Sequence, residues 1–155
     1  MKLKVIILCV CFLHSLSVVP QKKSMIIQEK IPDEVRAKQI SDMKFGMFIC
    51  WSFSTFSGIE WTGQELPPEF FRATKCDTDQ WARVAKEAGM NYIYVLTKHH
   101  DGFCLWDTKT TDLKVINAPL KKDVLKMLRK SCDKYGIKLG LYYSEADWNL
   151  SLIHI

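Results

Sequence analysis

The run Tyr92-Ile93-Tyr94-Val95-Leu96-Thr97 restricts what this chain can fold into more than any other feature. It is short and nearly continuous in β-branched, aliphatic and aromatic residues, the pattern of a strand buried on both faces, and it reads as the central strand of a parallel sheet. Lys98, His99, His100 and Asp101 follow where that strand would end, and Gly102 then permits a sharp turn. Polar groups therefore gather at the carboxyl edge of a sheet. In α/β folds, loops above rigid strand ends converge on ligands at that edge.

The flanking sequence supplies the partners of such a strand. Pro32-Asp33-Glu34 opens a helix carrying Val35, Ile40 and Met43, and the apolar run from Lys44 to Trp51 begins a first strand. From Ser52 to Arg72 the chain is rich in Ser, Thr, Gly, Pro and aromatic residues without a period, which predicts a long loop of the kind that is usually functional. Thr78-Asp79 caps the next helix, in which Trp81, Val84, Ala85 and Ala88 make an apolar face before Gly89 ends it. Beyond Trp106, a polar loop through Thr111 and Pro119 leads to a helix from about Lys122 to Tyr135. Val124, Leu125, Leu128 and Cys132 face inward there, and Gly136 closes it. Ile137 to Ser144 forms a third strand. The order predicts two successive βαβ units, hence an α/β fold with a parallel sheet and right-handed crossovers. A (β/α)8 TIM barrel takes roughly 250 residues, so these 155 residues are expected to build its front portion, the first three βα units or so.

Composition narrows the function classes. A chain with 48% hydrophobic residues fills one modest core, and its net charge of +5 is spread along the sequence, with Lys22-Lys23 and Lys121-Lys122 as isolated pairs. A basic stripe interleaved with aromatics is missing, which excludes a nucleic-acid groove. Residues 1–17 place Lys2 and Lys4 before the apolar run Val5 to Leu13 and end in Ser15-Leu16-Ser17, the layout of a secretory signal peptide. That run is too short to span a bilayer, so no membrane partner is expected after cleavage, and the product is expected to be secreted, periplasmic or lysosomal. Residues 18–43 then form a leader segment with one helix, and 44–155 the barrel portion. Of the six cysteines, Cys9 and Cys11 leave with the signal, while Cys50, Cys76, Cys104 and Cys132 remain as disulfide partners or free buried thiols. Their wide spacing, with no C-x-x-C pair, argues against a zinc site. Asn149-Leu150-Ser151 is a glycosylation sequon.

The candidate chemistry lies at the strand ends: Cys50 and Trp51 on the first, Lys98 to Asp101 on the second, and Ser144, Glu145 and Asp147 after the third. The long loop adds Glu60, Trp61 and Glu65. Aromatic faces beside carboxylates and imidazoles suit a sugar, whose C–H groups pack on a ring while polar groups hold its hydroxyls. Trp51, Trp61 and Trp106 equally suit core or rim packing. Adjacent histidines in an extended segment point to opposite sides, so one of His99 and His100 is expected to face the pocket and the other to prop the loop. Only Asp101 stands near them, too few ligands for a metal, and no cofactor is expected. No serine or cysteine has a nucleophile-elbow context.

Three separated stretches carry a resemblance. Lys44-Phe45-Gly46-Met47-Phe48-Ile49-Cys50-Trp51, then Leu96-Thr97-Lys98-His99-His100-Asp101-Gly102-Phe103-Cys104-Leu105-Trp106, then Gly140-Leu141-Tyr142-Tyr143-Ser144 resemble, in order, the barrel-strand motifs of the α-L-fucosidases, glycoside hydrolase family 29. The match runs from about Lys44 to Trp148, and Lys-His-His-Asp-Gly-Phe is its most specific piece. The resemblance implies an exo-acting, metal-free retaining hydrolase that removes terminal α-L-fucose from glycans, so that the partner is a fucosylated glycan. It implies that His99 and His100 match the paired histidines that bind fucose hydroxyls, Tyr142 the strand-three tyrosine, and Glu60-Trp61 the loop pair that closes over the sugar. Cys50 stands where the family commonly has histidine, and Trp51-Ser52 where it has Trp-Gly. A thiol is a poorer hydrogen-bond partner than imidazole, which implies altered sugar contacts or a weakened site.

A retaining glycosidase needs two carboxyl groups about 5–5.5 Å apart. In this family the aspartate nucleophile lies on a later strand and the acid/base later still, so neither is expected in this sequence. Glu145 and Asp147 match neither role and read as strand-end carboxylates held by solvent or a neighbouring loop. The resulting expectation is a truncated α-L-fucosidase, inactive alone, that carries part of the fucose pocket. The alternatives are a secreted fucose-binding or decoy protein without catalysis, and an incomplete product of a longer gene.

Overall fold

The computed structural model describes residues 31–62 and 66–149. The expected signal segment 1–17, Glu65, and Ser151 of the sequon lie outside these residues. Three strands, β1 (Gly46–Ile49), β2 (Tyr92–Lys98) and β3 (Lys138–Tyr143), form one sheet in the order β1-β2-β3, and both pairings are parallel. The sequence-derived topology therefore holds, with β2 in the centre. Glycine makes the registers possible: Gly46 pairs with Tyr92 and Gly140 with Tyr94, and each tyrosine ring lies where a side chain on the facing glycine would go.

Helix α1 (Asp33–Met43) follows Pro32 and carries Asp33 and Glu34 in its first turn, where acidic groups favour the helix dipole. None of its residues is buried, because the five-residue step from Val35 to Ile40 carries them about 140° apart around the helix and leaves no single apolar stripe. Helix α3 (Thr78–Glu87) is capped one residue earlier than expected, by Asp77, whose carboxylate accepts from the Gln80 N–H at 2.9 Å. Its buried stripe is Thr78, Ala82 and Ala85, at i, i+4 and i+7, so Val84 of the expected face is exposed instead. Helix α4 (Val124–Tyr135) begins at the Asp123 cap and buries Val124, Leu128, Ser131 and Cys132. The Thr78 and Ser131 hydroxyls join α3 to α4 at 2.9 Å. Gly89 and Gly136 turn the chain out of these helices with φ of 76° and 66°, a conformation that costs glycine nothing.

The long loop is more structured than its sequence suggests. It holds a single turn of helix, α2 (Ser54–Ser57), and a 3-10 turn at Pro68–Phe70. It also contributes Phe53 and Phe71, both fully buried, to a core shared with Phe103, Leu105, Val115 and Val124. A second core lies between sheet and helices, where Ile93 and Val95 meet Ala82, Ala85, Leu128, Cys132 and Ile137. The opposite face of β2 is barer than expected. Tyr94 is 37% exposed and is covered by Phe48 and Tyr142, whose rings lie 5.8 and 6.2 Å away. A continuous apolar run thus acquires one open aromatic face. Among the described residues no helix is long and apolar enough to cross a membrane.

Candidate functional site

The end of β2 is clamped from both sides. Thr97 donates its hydroxyl proton to the Tyr142 carbonyl at 2.7 Å, the Thr97 carbonyl accepts from the Leu105 N–H at 2.9 Å, and the Lys98 carbonyl accepts from the Ser144 N–H at 3.0 Å. Beyond Lys98 the chain leaves the strand and reverses at Gly102, whose φ is 77°. Asp101 stabilises the reversal by accepting from the Phe103 N–H at 2.9 Å.

This turn brings the two histidines together. Their ring centroids are 4.6 Å apart, and Trp61 lies over both, stacked on His100 at 5.1 Å with a 9° interplanar angle and 5.6 Å from His99. Trp148 completes the cluster at 5.2 Å from His100 and 5.7 Å from Trp61. The expectation that neighbouring histidines point to opposite sides is therefore corrected: both lie past the last residue of β2, where the two-residue alternation of a strand no longer applies. His100 is held further by a hydrogen bond between its Nδ1 and the Ser144 hydroxyl, and by its carbonyl, which accepts from the Trp148 N–H at 2.7 Å.

Charge beneath the cluster is buried and mostly paired. Lys98 is 4% exposed, and its Nζ lies 3.1 Å from Asp147 Oδ2, donates to the Ala146 carbonyl at 3.2 Å and sits 5.0 Å from the Tyr143 ring centre. Asp147 is thus held by the buried Lys98 ammonium and by the Asn149 N–H, which donates to its Oδ1 at 3.1 Å, while Glu145 is exposed. Asp101 is 3% exposed, and its Oδ2 has no hydrogen-bond partner among the described residues. Burial pushes its carboxyl above the usual range against the Phe103 hydrogen bond. Burial also lowers the His99 imidazole, with the charges of Asp101 and Glu60 opposing, so the neutral ring is favoured. A neutral imidazole both donates and accepts, which suits a hydroxyl-rich, uncharged ligand. No group of three or more His, Cys, Asp or Glu side chains among the described residues is placed to hold a metal ion.

The other sequence-derived candidates are distributed around this cluster. Glu60 is exposed and within electrostatic reach of His99, and Cys50 is exposed and within reach of the Asp101 charge. Trp51 packs its ring on Phe71 at 4.8 Å and on Trp81 at 5.5 Å, in the loop core. Tyr142 lies on the open face of the sheet against Phe48, with centroids 6.3 Å apart. Sequence reasoning missed Trp148 and the Ser144 contact. Tryptophan at 148 follows a strand-end carboxylate, the one local sign of it, but its approach to Trp61 spans segments far apart in sequence. Residues on either side of Trp148 turn onto Gly102 instead. There Asp147 and Asn149 line a cleft of about 800 Å³ with Lys98, Cys104, Trp106 and Tyr143. The Asn149 side-chain amide, which would carry a glycan at the sequon, donates to the Asp101 carbonyl.

The sequence model of α-L-fucosidase matches residues 64–154, more than half of the chain. The chain belongs to the α-L-fucosidase family. It is 36% identical over 104 residues to alpha-L-fucosidase 1 of Arabidopsis thaliana, covering 65% of this chain and 21% of that protein. Against human plasma alpha-L-fucosidase it is 31% identical over 133 residues, covering 68% of this chain and 28% of the relative. Among solved structures it resembles alpha-L-fucosidase isoenzyme 1 from Paenibacillus thiaminolyticus, with a TM-score of 0.66 and 36% identity over 74% of this chain and 30% of that one. It likewise resembles a family 29 alpha-L-fucosidase from Bacteroides thetaiotaomicron, with a TM-score of 0.61 and 34% identity over 72% and 30%. This fucosidase-family chain thus spans between about a fifth and a third of the relatives it matches.

Proposed function

We propose that this chain carries the sugar-recognising front of a retaining α-L-fucosidase, and that its three strands are the first of a (β/α)8 barrel. The consecutive order β1-β2-β3 with all strands parallel supports the barrel reading. His99, His100 and Trp61 are proposed to bind fucose, with the ring packing on the C–H face of the sugar and the imidazoles hydrogen-bonding its hydroxyls, while Glu60 flanks His99. The four-ring cluster of Trp61, His99, His100 and Trp148 at one strand end is the observation that carries this reading. Cys50, Trp51 and Tyr142 enter it from the family resemblance alone.

The covalent step is proposed to lie outside this sequence. A relative from Bacteroides thetaiotaomicron, 34% identical, has been trapped as a covalent intermediate with 2-fluoro-fucosyl fluoride, which supports a retaining reaction for the family. By the resemblance, the attacking aspartate and the acid/base belong to later strands. The chain alone is therefore proposed to bind sugar without turning it over. Residues 1–17 are proposed to direct it out of the cytoplasm, to a secreted, periplasmic or lysosomal destination.

Titration of the chain with L-fucose, followed by tryptophan fluorescence, tests the binding reading. Weak saturable binding, with Kd on the order of 1 mM, or about −4 kcal/mol, is expected and should be lost in Trp61→Ala and His100→Ala. Unchanged binding in both variants overturns the site. Robust hydrolysis of an aryl α-L-fucoside by the chain alone overturns the division of roles.

A further inference from the structure

Ser144 stands directly after β3 and is 3% exposed. Its N–H is spent on the Lys98 carbonyl at 3.0 Å, which fixes the serine backbone against the end of β2. Its hydroxyl meets His100 Nδ1, and that oxygen has no other hydrogen-bond partner among the described residues. Two arrangements of the proton are available. If Nδ1–H donated to the hydroxyl, the serine proton would be left without an acceptor in a buried place, a cost of about 1–3 kcal/mol. If the hydroxyl donates to a bare Nδ1, both atoms are satisfied and the ring proton must reside on Nε2.

From this contact we infer that Ser144 is a positioning residue that locks neutral His100 as its Nε2–H tautomer, so that His100 meets its ligand as a hydrogen-bond donor. The ring contacts with Trp61 and Trp148 restrain the plane of the imidazole, and the serine selects which nitrogen carries the proton. A sugar oxygen opposite Nε2 then has to accept, and its own proton has to go to another group. That is a rule of selection for hydroxyl orientation, and it rests on the proposed role of the cluster in sugar binding.

Long-range proton–nitrogen correlation NMR on the full chain labelled with ¹⁵N-histidine tests this at a pH about two units above the ordinary imidazole value of about 6.5. His100→Gln assigns the signal. The wild-type chain should show a protonated ε2 and an unprotonated δ1 nitrogen at His100. Ser144→Ala should convert this to a mixture of tautomers and weaken fucose binding about two- to tenfold, whereas Ser144→Thr, which keeps the hydroxyl, should restore the single tautomer. A protonated δ1 nitrogen in the wild-type chain overturns the inference whatever the variants do, as does a Ser144→Ala spectrum with the tautomer unchanged. Failure of fucose to bind would overturn the sugar-site reading and leave the tautomer measurement standing, so the two failures are distinguishable.

Discussion

Lys98 Nζ and Asp147 Oδ2 stand 3.1 Å apart with side chains only 5% and 14% exposed, a buried ion pair that ties the end of β2 to the segment after β3. Removing one member of such a pair strands the other charge away from water, which costs about 3–5 kcal/mol, whereas replacing both by apolar groups of similar size costs far less. Lys98→Met should therefore destabilise the chain by about that amount, and Lys98→Met with Asp147→Leu by much less than the sum of the single changes. Urea denaturation of the four proteins in a double-mutant cycle reads this directly. Additive losses would show that the pair is not coupled.

Gly102 makes the turn that gathers the histidines, with φ of 77°. A Cβ there would fall 2.8 Å from both Asn149 Nδ2 and Asp147 Oδ1; the first donates to the Asp101 carbonyl, the second accepts from the Asn149 N–H at 3.1 Å, and the other oxygen of Asp147 is paired with Lys98. Gly102→Ala should cost at least about 1–2 kcal/mol from backbone strain, and should push residues 147–149 outward so that Trp148 leaves the ring cluster. Thermal unfolding reports the first effect and a change in tryptophan emission the second. A variant with wild-type Tm and emission would refute the packing described for this turn.

Asp101 is buried with its carboxyl pushed upward, chiefly by desolvation. An acid whose folded pKa is raised contributes stability that is complete below its unfolded pKa of about 3.9 and is lost as pH rises through the folded value. Asp101→Asn removes this titration while keeping the oxygen that accepts from Phe103. The difference in unfolding free energy between variant and wild type should therefore move in favour of Asp101→Asn as the pH is raised from about 3.5 to 7. Paired urea titrations at the two pH values measure it, and a difference that stays constant contradicts the buried, upshifted carboxyl.

All four described cysteines are free thiols: Cys50 exposed, Cys76 half-buried, Cys104 and Cys132 buried. Burial raises every one of them, and it carries Cys76 and Cys104 to about 11. A thiol at that value is only about one part in a thousand thiolate at pH 8, and the thiolate is the reactive form. Labelling the native chain with a thiol reagent, read by residue-resolved mass spectrometry, should modify Cys50 first and Cys132 only after unfolding. Equal rates at Cys50 and Cys132 would contradict the packing of α4 against the sheet.

The sequence by itself determined the order of elements and the parallel α/β sheet. Periodicity, helix-ending glycines and the apolar run at residues 92–97 are local signals that act over a few neighbours. It also placed His99 and His100 at a strand end, because the Lys-His-His-Asp-Gly run follows directly on β2. Only the tertiary structure decided which of the other candidates join them. Trp61, His100 and Trp148 come from three separate segments, and their stacking depends on where the turn at Gly102 and the loop after β3 settle. The same holds for the core. Phe53 and Phe71, in a stretch with no period, became fully buried, and Ala82 took the interior place expected for Val84. Burial is a property of what packs against a residue, and for a loop or a half-covered helix that information is held by distant parts of the chain.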